Sequence, residues 1–124
     1  MRGSRSDVPV TVEAGGVEIR EIEWGEMNVA LESFPAGVDT APLFKGLPDD
    51  RCQCPHWGFV VRGHIRVRYQ DHEEHLRAGD VYYLQPGHTT YFEEPTEIVE
   101  FSPRGEYQKT VEVAARNMAA MQSA

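Results

Sequence analysis

The stretch HIRVRYQDHEEHLRAGDVYYLQPGHTTYF, residues 64–92, alternates apolar and polar residues, turns, and alternates again. HIRVRYQ (64–70) sets Ile65, Val67 and Tyr69 on one face and Arg66 and Arg68 on the other, the period of two that a half-buried strand requires. DHEE (71–74) is a polar turn, HLRAGD (75–80) leads into VYYLQ (81–85), and Pro86-Gly87 turns the chain into HTTYF (88–92).

The same rhythm continues in both directions. Upstream lie VPVTVE (8–13), VEIREIEW (17–24) and EMNVALESF (26–34), then a proline-containing loop from Asp39 to Asp50 and the apolar run WGFVV (57–61). Downstream lies EIVEFSP (97–103). Roughly nine short strands at close spacing predict an all-β sandwich or small barrel. The last segment changes period. From Tyr107 to Met121, the residues Val111, Ala114, Ala115, Met118 and Met121 recur at steps of three and four, which predicts an amphipathic helix. The expected division is an N-terminal tail over 1–7 (disordered, or a tag), a β domain over 8–105, and a helix over 106–122 packed on that domain or on a partner.

Bulk properties narrow the function classes. A chain of 124 residues is one domain long, and 40% hydrophobic with 26% charged residues is ordinary for a globular protein. The net charge of −8 argues against nucleic acid and anionic membrane surfaces as partners, and Arg62, Arg66 and Arg68 read as a solvated strand face. No apolar run approaches the ~18 residues of a membrane span. The N-terminus is basic but has no apolar core behind it, so it does not read as a secretory signal. The two cysteines, Cys52 and Cys54, are too close for a stabilising disulfide, which makes a reducing, cytoplasmic setting the default.

Those cysteines begin the chemistry. In CQCPHW (52–57), Cys52, Cys54 and His56 occupy alternate positions, and an extended strand would put all three on one face. Thiolate sulfur and imidazole nitrogen suit zinc and similar borderline ions, and Pro55 can supply the bend that convergence needs. The plain alternative is two half-buried cysteines and a rim histidine. Cysteine as a nucleophile with His56 or His88 as base is a further alternative. Ser33, Ser102 and Ser123 have no histidine and acid at suggestive places, and no phosphate loop, dinucleotide fingerprint or G-x-S-x-G elbow is present.

AGDVYYLQPGHTTYF (78–92) resembles the second motif of the cupin family, G-x5-P-x-G-x2-H-x3-N. Gly79 and Gly87 fall on its glycines, Pro86 lies one place after its proline, and its histidine place is Thr90, two residues after His88. The first cupin motif, G-x5-H-x-H-x3 or 4-E-x6-G, is more altered. Counted from Gly46, its histidine places are Cys52 and Cys54; counted back from Gly63, its glutamate place is His56.

The resemblance implies a single cupin-type β-barrel, a double-stranded β-helix or jelly roll, with a C-terminal α-helix and a homodimeric assembly. It further implies a divalent metal, zinc foremost, held by His56 and His88 with Cys52, Cys54 or both. Two thiolates would close a structural site, whereas one would leave a position open to water or substrate. Iron dioxygenase chemistry is disfavoured by a thiolate-bearing ligand set. The expected pocket for a small-molecule ligand or substrate comprises Trp57, Tyr83, Thr90 and Phe92, with Tyr83 a candidate general acid. If Val99 and Phe101 face inward, Glu100 faces solvent. His64, His72 and His75 read as surface residues. Two functions fit: a small metalloenzyme of isomerase, cyclase or lyase type, or a non-catalytic binding or regulatory module whose metal is structural or absent.

Overall fold

The computed structural model describes residues 1–122. Its strands are β1 (Val10–Ala14), β2 (Val17–Trp24), β3 (Met27–Phe34), β4 (His56–Arg62), β5 (His64–Arg68), β6 (Glu73–Arg77), β7 (Val81–Leu84), β8 (Thr89–Phe92) and β9 (Thr96–Pro103). Two short 3-10 turns, Ala41–Phe44 and Pro48–Asp50, occupy the loop after β3, and helix α1 runs from Arg104 to Gln122. Eight of these strands match the alternating segments read along the chain, and β6 is the one not read as a strand. Part of the segment read as a turn, Glu73 and Glu74, belongs to β6, where Glu73 pairs with Arg68 and Glu74 with Val67.

All strand pairings are antiparallel, in one sheet ordered β1-β2-β3-β9-β4-β7 and a second ordered β6-β5-β8. The two sheets share one core, which is the jelly-roll arrangement. Val60, Tyr82, Leu84 and Ile98 come from the large sheet, and Ile65, Val67, Leu76 and Phe92 from the small one. Phe34 and Phe92 stack across the gap with ring centroids 4.0 Å apart, a geometry worth about 0.5–1.5 kcal/mol beyond the area it buries. Ile65 and Val67 are fully shielded on the face their alternation predicts; burial of each contributes about 1.5–3 kcal/mol.

Gly63 allows β4 to pass directly into β5. Its φ is +103°, and a Cβ there would lie 2.6 Å from the carbonyl oxygen of Pro95. Only glycine fits both the conformation and the space. At the N-terminus, Arg5 reaches Glu97 at 2.9 Å and Glu18 at 3.4 Å, and Val8 is buried.

Helix α1 packs over β3, β9 and the first 3-10 turn. Asn117 Nδ2 donates to the carbonyls of Leu43 at 2.7 Å and Lys45 at 2.8 Å, which ties the helix to that turn. Its apolar face, including Val111, Ala114 and Met118, closes one side of a cavity of about 260 Å³ between the sheets. Met121, at the far end of the stripe, stays exposed.

Candidate metal centre and cavity

The chain from Cys52 to Pro55 is not the extended strand expected from its alternation. Four residues of strand would separate Cys52 from His56 by roughly 13 Å, yet Cys52 Sγ lies 3.5 Å from His56 Nε2. β4 begins only at His56. Before it, the chain is anchored by Cys52, whose N–H donates to the His88 carbonyl at 2.9 Å and whose own carbonyl accepts from Gly87 at 2.7 Å. The Pro86-Gly87 turn thus brings His88 against Cys52, while the bend before Pro55 swings His56 back.

The donor atoms of Cys52, His56 and His88 lie within 4.8 Å of one another, and all three residues are buried. Cys54 stands outside this group. Its thiol donates to the Pro55 carbonyl at 3.3 Å, because the bend breaks the period of two that would have aligned it with Cys52. Burial and the neighbouring Cys52 sulfur hold the Cys54 thiol far above its ordinary value.

Both imidazoles present the same atom to the group. His88 Nδ1 lies 2.6 Å from the Gln85 carbonyl. A carbonyl only accepts, so Nδ1 carries the proton and Nε2 keeps its lone pair. His56 Nδ1 lies 2.6 Å from Ser102 Oγ and 3.2 Å from Glu100 Oε1, and its Nε2 faces Cys52. Orientation of each ring through its second nitrogen is the usual support for a metal-ligating histidine. Burial lowers both histidines to about 4, so both are neutral at pH 7. Burial also pushes the Cys52 thiol up to about 11, so a cation must displace its proton for it to become a thiolate ligand. Sulfur with two nitrogens is a donor set that suits zinc, with a fourth position left open.

Cys52, His56 and His88 line the cavity, together with Thr90 and Phe92 as expected. Trp57 and Tyr83 do not. They stack on each other on the outer face, 44% and 46% exposed, with centroids 5.1 Å apart. The inward tyrosine is Tyr82, whose hydroxyl donates to Glu100 Oε2 at 2.6 Å. This register removes Tyr83 as a general acid of the cavity. It also reverses the faces of β9: Ile98 and Glu100 are buried, and Phe101 is 39% exposed. Ser102 likewise proves to have a histidine beside it, whose ring nitrogen also meets an acid, although sequence spacing gave no sign of either. His72 and His75 are exposed and His64 is half-buried, with His64 Nε2 and His75 Nδ1 2.8 Å apart.

Residues 55–102, which cover β4 to β9, match the AraC-like ligand binding domain. No curated protein matches the chain by sequence. Among solved structures, an RmlC-like cupin from Shewanella frigidimarina superposes with a TM-score of 0.60 at 16% identity, covering 82% of this chain and 88% of that one. KdgF from Halomonas sp. gives 0.58 at 20% identity over 82% and 93% of the two chains. The polyketide cyclase RemF from Streptomyces resistomycificus gives 0.61 at 12% identity over 84% and 79%. Strand order, two-sheet core and these likenesses agree, and the chain has the jelly-roll fold of small cupins, followed by a C-terminal helix.

Proposed function

We propose that the chain binds a divalent ion, zinc before others, through Cys52, His56 and His88, and holds a small organic molecule in the cavity beside it. The observation that carries this reading is the pair of buried imidazoles with Nδ1 engaged, both gathered with the Cys52 sulfur, which lies 3.5 Å from His56 Nε2. A core packed only for stability has no need to gather three such lone pairs. An ion in this position supplies Lewis acidity toward a carbonyl or a water, the chemistry of isomerases, cyclases and lyases. The chain's own residues set the rest: Glu100 and Ser102 fix the His56 ring, Gln85 fixes the His88 ring, and the apolar walls exclude water.

A second reading, a non-catalytic ligand-binding or regulatory module, is supported by the ligand-binding domain that residues 55–102 match. A substrate turned over only in the metal-loaded protein favours the enzyme; tight binding without turnover favours the module. Two buried free thiols suit a cytoplasmic setting. The exposed apolar residues Trp57, Phe59, Val61, Val81 and Phe101 on the outer face of the large sheet support a homodimer through that face.

The decisive experiment is metal analysis of untagged protein purified without chelators, followed by cobalt substitution. Near-stoichiometric zinc and a sulfur-to-cobalt charge-transfer band that disappears in Cys52→Ser support the site. Protein that binds neither ion, or a Cys52→Ser variant that keeps both metal and band, overturns it.

A further inference from the structure

We propose that the cavity selects a small apolar molecule bearing a protonated amine, seated with its ammonium at Glu32 and its apolar body along the wall formed by Phe34 and Phe92. This rests on reading the cavity as a ligand site, and it is independent of the metal.

The register of the large sheet gathers three carboxyls on its inner face. Ala30 on β3 is paired with Glu21 on β2 and with Glu100 on β9, while Glu32, two residues on, is paired with Ile19 and Ile98. Glu21, Glu32 and Glu100 are therefore diagonal neighbours, and all three line the cavity. No lysine or arginine is among the described residues that line it.

The three acids are not equivalent. Glu100 accepts from the Tyr82 hydroxyl at 2.6 Å and meets His56 Nδ1 at 3.2 Å. Glu21 accepts from Asn28 Nδ2 at 2.9 Å and from the Thr11 hydroxyl. Glu32 has as its side-chain partner Glu100, another carboxyl. Burial, reinforced by the charges of Glu100 and Glu21, holds its own carboxyl well above the usual range. A half-buried acid whose charged neighbours are acids lacks a cation, and no lysine or arginine of the described cavity wall supplies one.

The ligand's chemistry follows from that lack. A carboxylate or phosphate would bring another negative charge into apolar surroundings beside three acids, where like charges repel strongly. An ammonium brings three donors and a positive charge to a wall of acceptors. A bare metal ion would satisfy the acids but leave the apolar remainder of the cavity, including Phe34, Ile65, Phe92 and Met118, without a partner. An amine on a hydrophobic body satisfies both parts.

Calorimetric titration with 2-phenylethylamine, 2-phenylethanol and phenylacetate, against metal-free and zinc-loaded protein at pH 7, tests the assignment. The amine is expected to bind at least about tenfold more tightly than the alcohol, since a hydrogen bond to a charged group is worth that much or more, with the carboxylate weakest. Glu32→Gln keeps the side chain's size and is expected to weaken the amine about tenfold while leaving the alcohol within about twofold. Alcohol or carboxylate binding as tightly as the amine, no binding of any probe, or an amine affinity untouched by Glu32→Gln overturns the proposal. Should the variant not fold, the ranking in the natural protein decides alone. Amine selectivity without zinc uptake would overturn the metal reading and leave this one standing. Zinc uptake without amine selectivity would do the reverse.

Discussion

The inner face of the large sheet carries His56, Glu100, Ser102, Glu32 and Tyr82, and the outer face of the same strands carries Trp57, Phe59, Val61, Val81, Tyr83 and Phe101. Buried polar groups on one side and exposed apolar ones on the other invert the usual distribution for a sheet with one solvated face. The small sheet is conventional: Ile65, Val67, Leu76 and Phe92 point inward, and Arg66 and Arg68 are half-buried in ion pairs with Glu93 and Asp39. One sheet is thus polarised in the usual way, and the other sets polar groups inside and apolar ones outside.

The sharpest way to break this comparison is to separate the two cysteines. Both are buried alike, yet only Cys52 belongs to the inner polar group. Cys52→Ala is expected to abolish zinc binding, and Cys54→Ala to leave it near one ion per chain, as read by metal analysis after dialysis. Equal loss in both variants would mean that the bend at Pro55 does not set the ligands.

A second effect concerns the cost of burying the histidines in the metal-free protein. Their folded values, about 4, lie below the ordinary 6.5. Between those values the unfolded chain binds more protons, so this contribution to stability is present above pH 6.5 and is lost as pH falls toward 4. Each ring accounts for at most about 3 kcal/mol. Glu32 and Glu100 act oppositely: their raised values mean that stability is lost as pH rises through them. Denaturant melts at pH 6.5 and 4.5 should therefore show a steeper acid loss in the natural protein than in His88→Gln. An unchanged acid limb would place the imidazoles in a wetter setting than the cavity provides.

Much of the fold was legible because alternation is a local property. Eight of the nine strands and the helix follow from the period of the apolar residues, and the glycine spacing around Gly79 and Gly87 pointed to the cupin jelly roll. The site was legible only in part. His56 and His88 stand where the cupin motifs direct attention. The near 180° alternation of β4, β7 and β9 defines two faces but does not say which one is inward. Val99, Phe101 and Trp57 are more apolar than Glu100, Ser102 and His56, so a hydrophobicity rule chooses the wrong face, and the adjacent tyrosines Tyr82 and Tyr83 give it nothing to choose by. Cys54 lies outside the Cys52, His56 and His88 group for a different reason. The bend before β4 depends on the pairing of Cys52 with His88, 36 residues along the chain, and no local pattern announces it.

Gly58 tests how tightly the inner network is packed. It lies between His56 and Val60 on β4, and a Cβ there would collide with the Tyr82 ring and hydroxyl and lie 2.6 Å from the Val99 carbonyl oxygen. Gly58→Ala must displace either a sheet backbone or the tyrosine that donates to Glu100. A loss of about 1–3 kcal/mol in denaturant unfolding is expected, as for other overpacked sites. If the tyrosine is what yields, zinc affinity should fall as well, because Glu100 then loses the donor that holds it beside His56. A variant as stable as the natural protein would show that the network has slack, and the fixed ring orientations would lose their support.

The smallest effect on stability is expected on the outer face, where it separates packing from assembly. Trp57 pairs with Tyr83 on β7 and with Phe101 on β9, and Phe59 pairs with Val81 and Val99, so these side chains form one continuous apolar surface. β7 also ends the sheet, with no strand on its far side among the described residues, and an uncovered apolar edge invites pairing with another chain. Val81 is 81% exposed, so Val81→Lys removes almost no intramolecular burial and should change unfolding by less than about 0.5 kcal/mol. In sedimentation, however, it should shift a dimer to a monomer, because a lysine ammonium would have to be desolvated against its symmetry mate. A dimer that persists in Val81→Lys would move the interface elsewhere. A natural protein that is monomeric at all concentrations would leave the outer apolar face to a different partner, and the contrast with the inner face would then rest on the cavity alone.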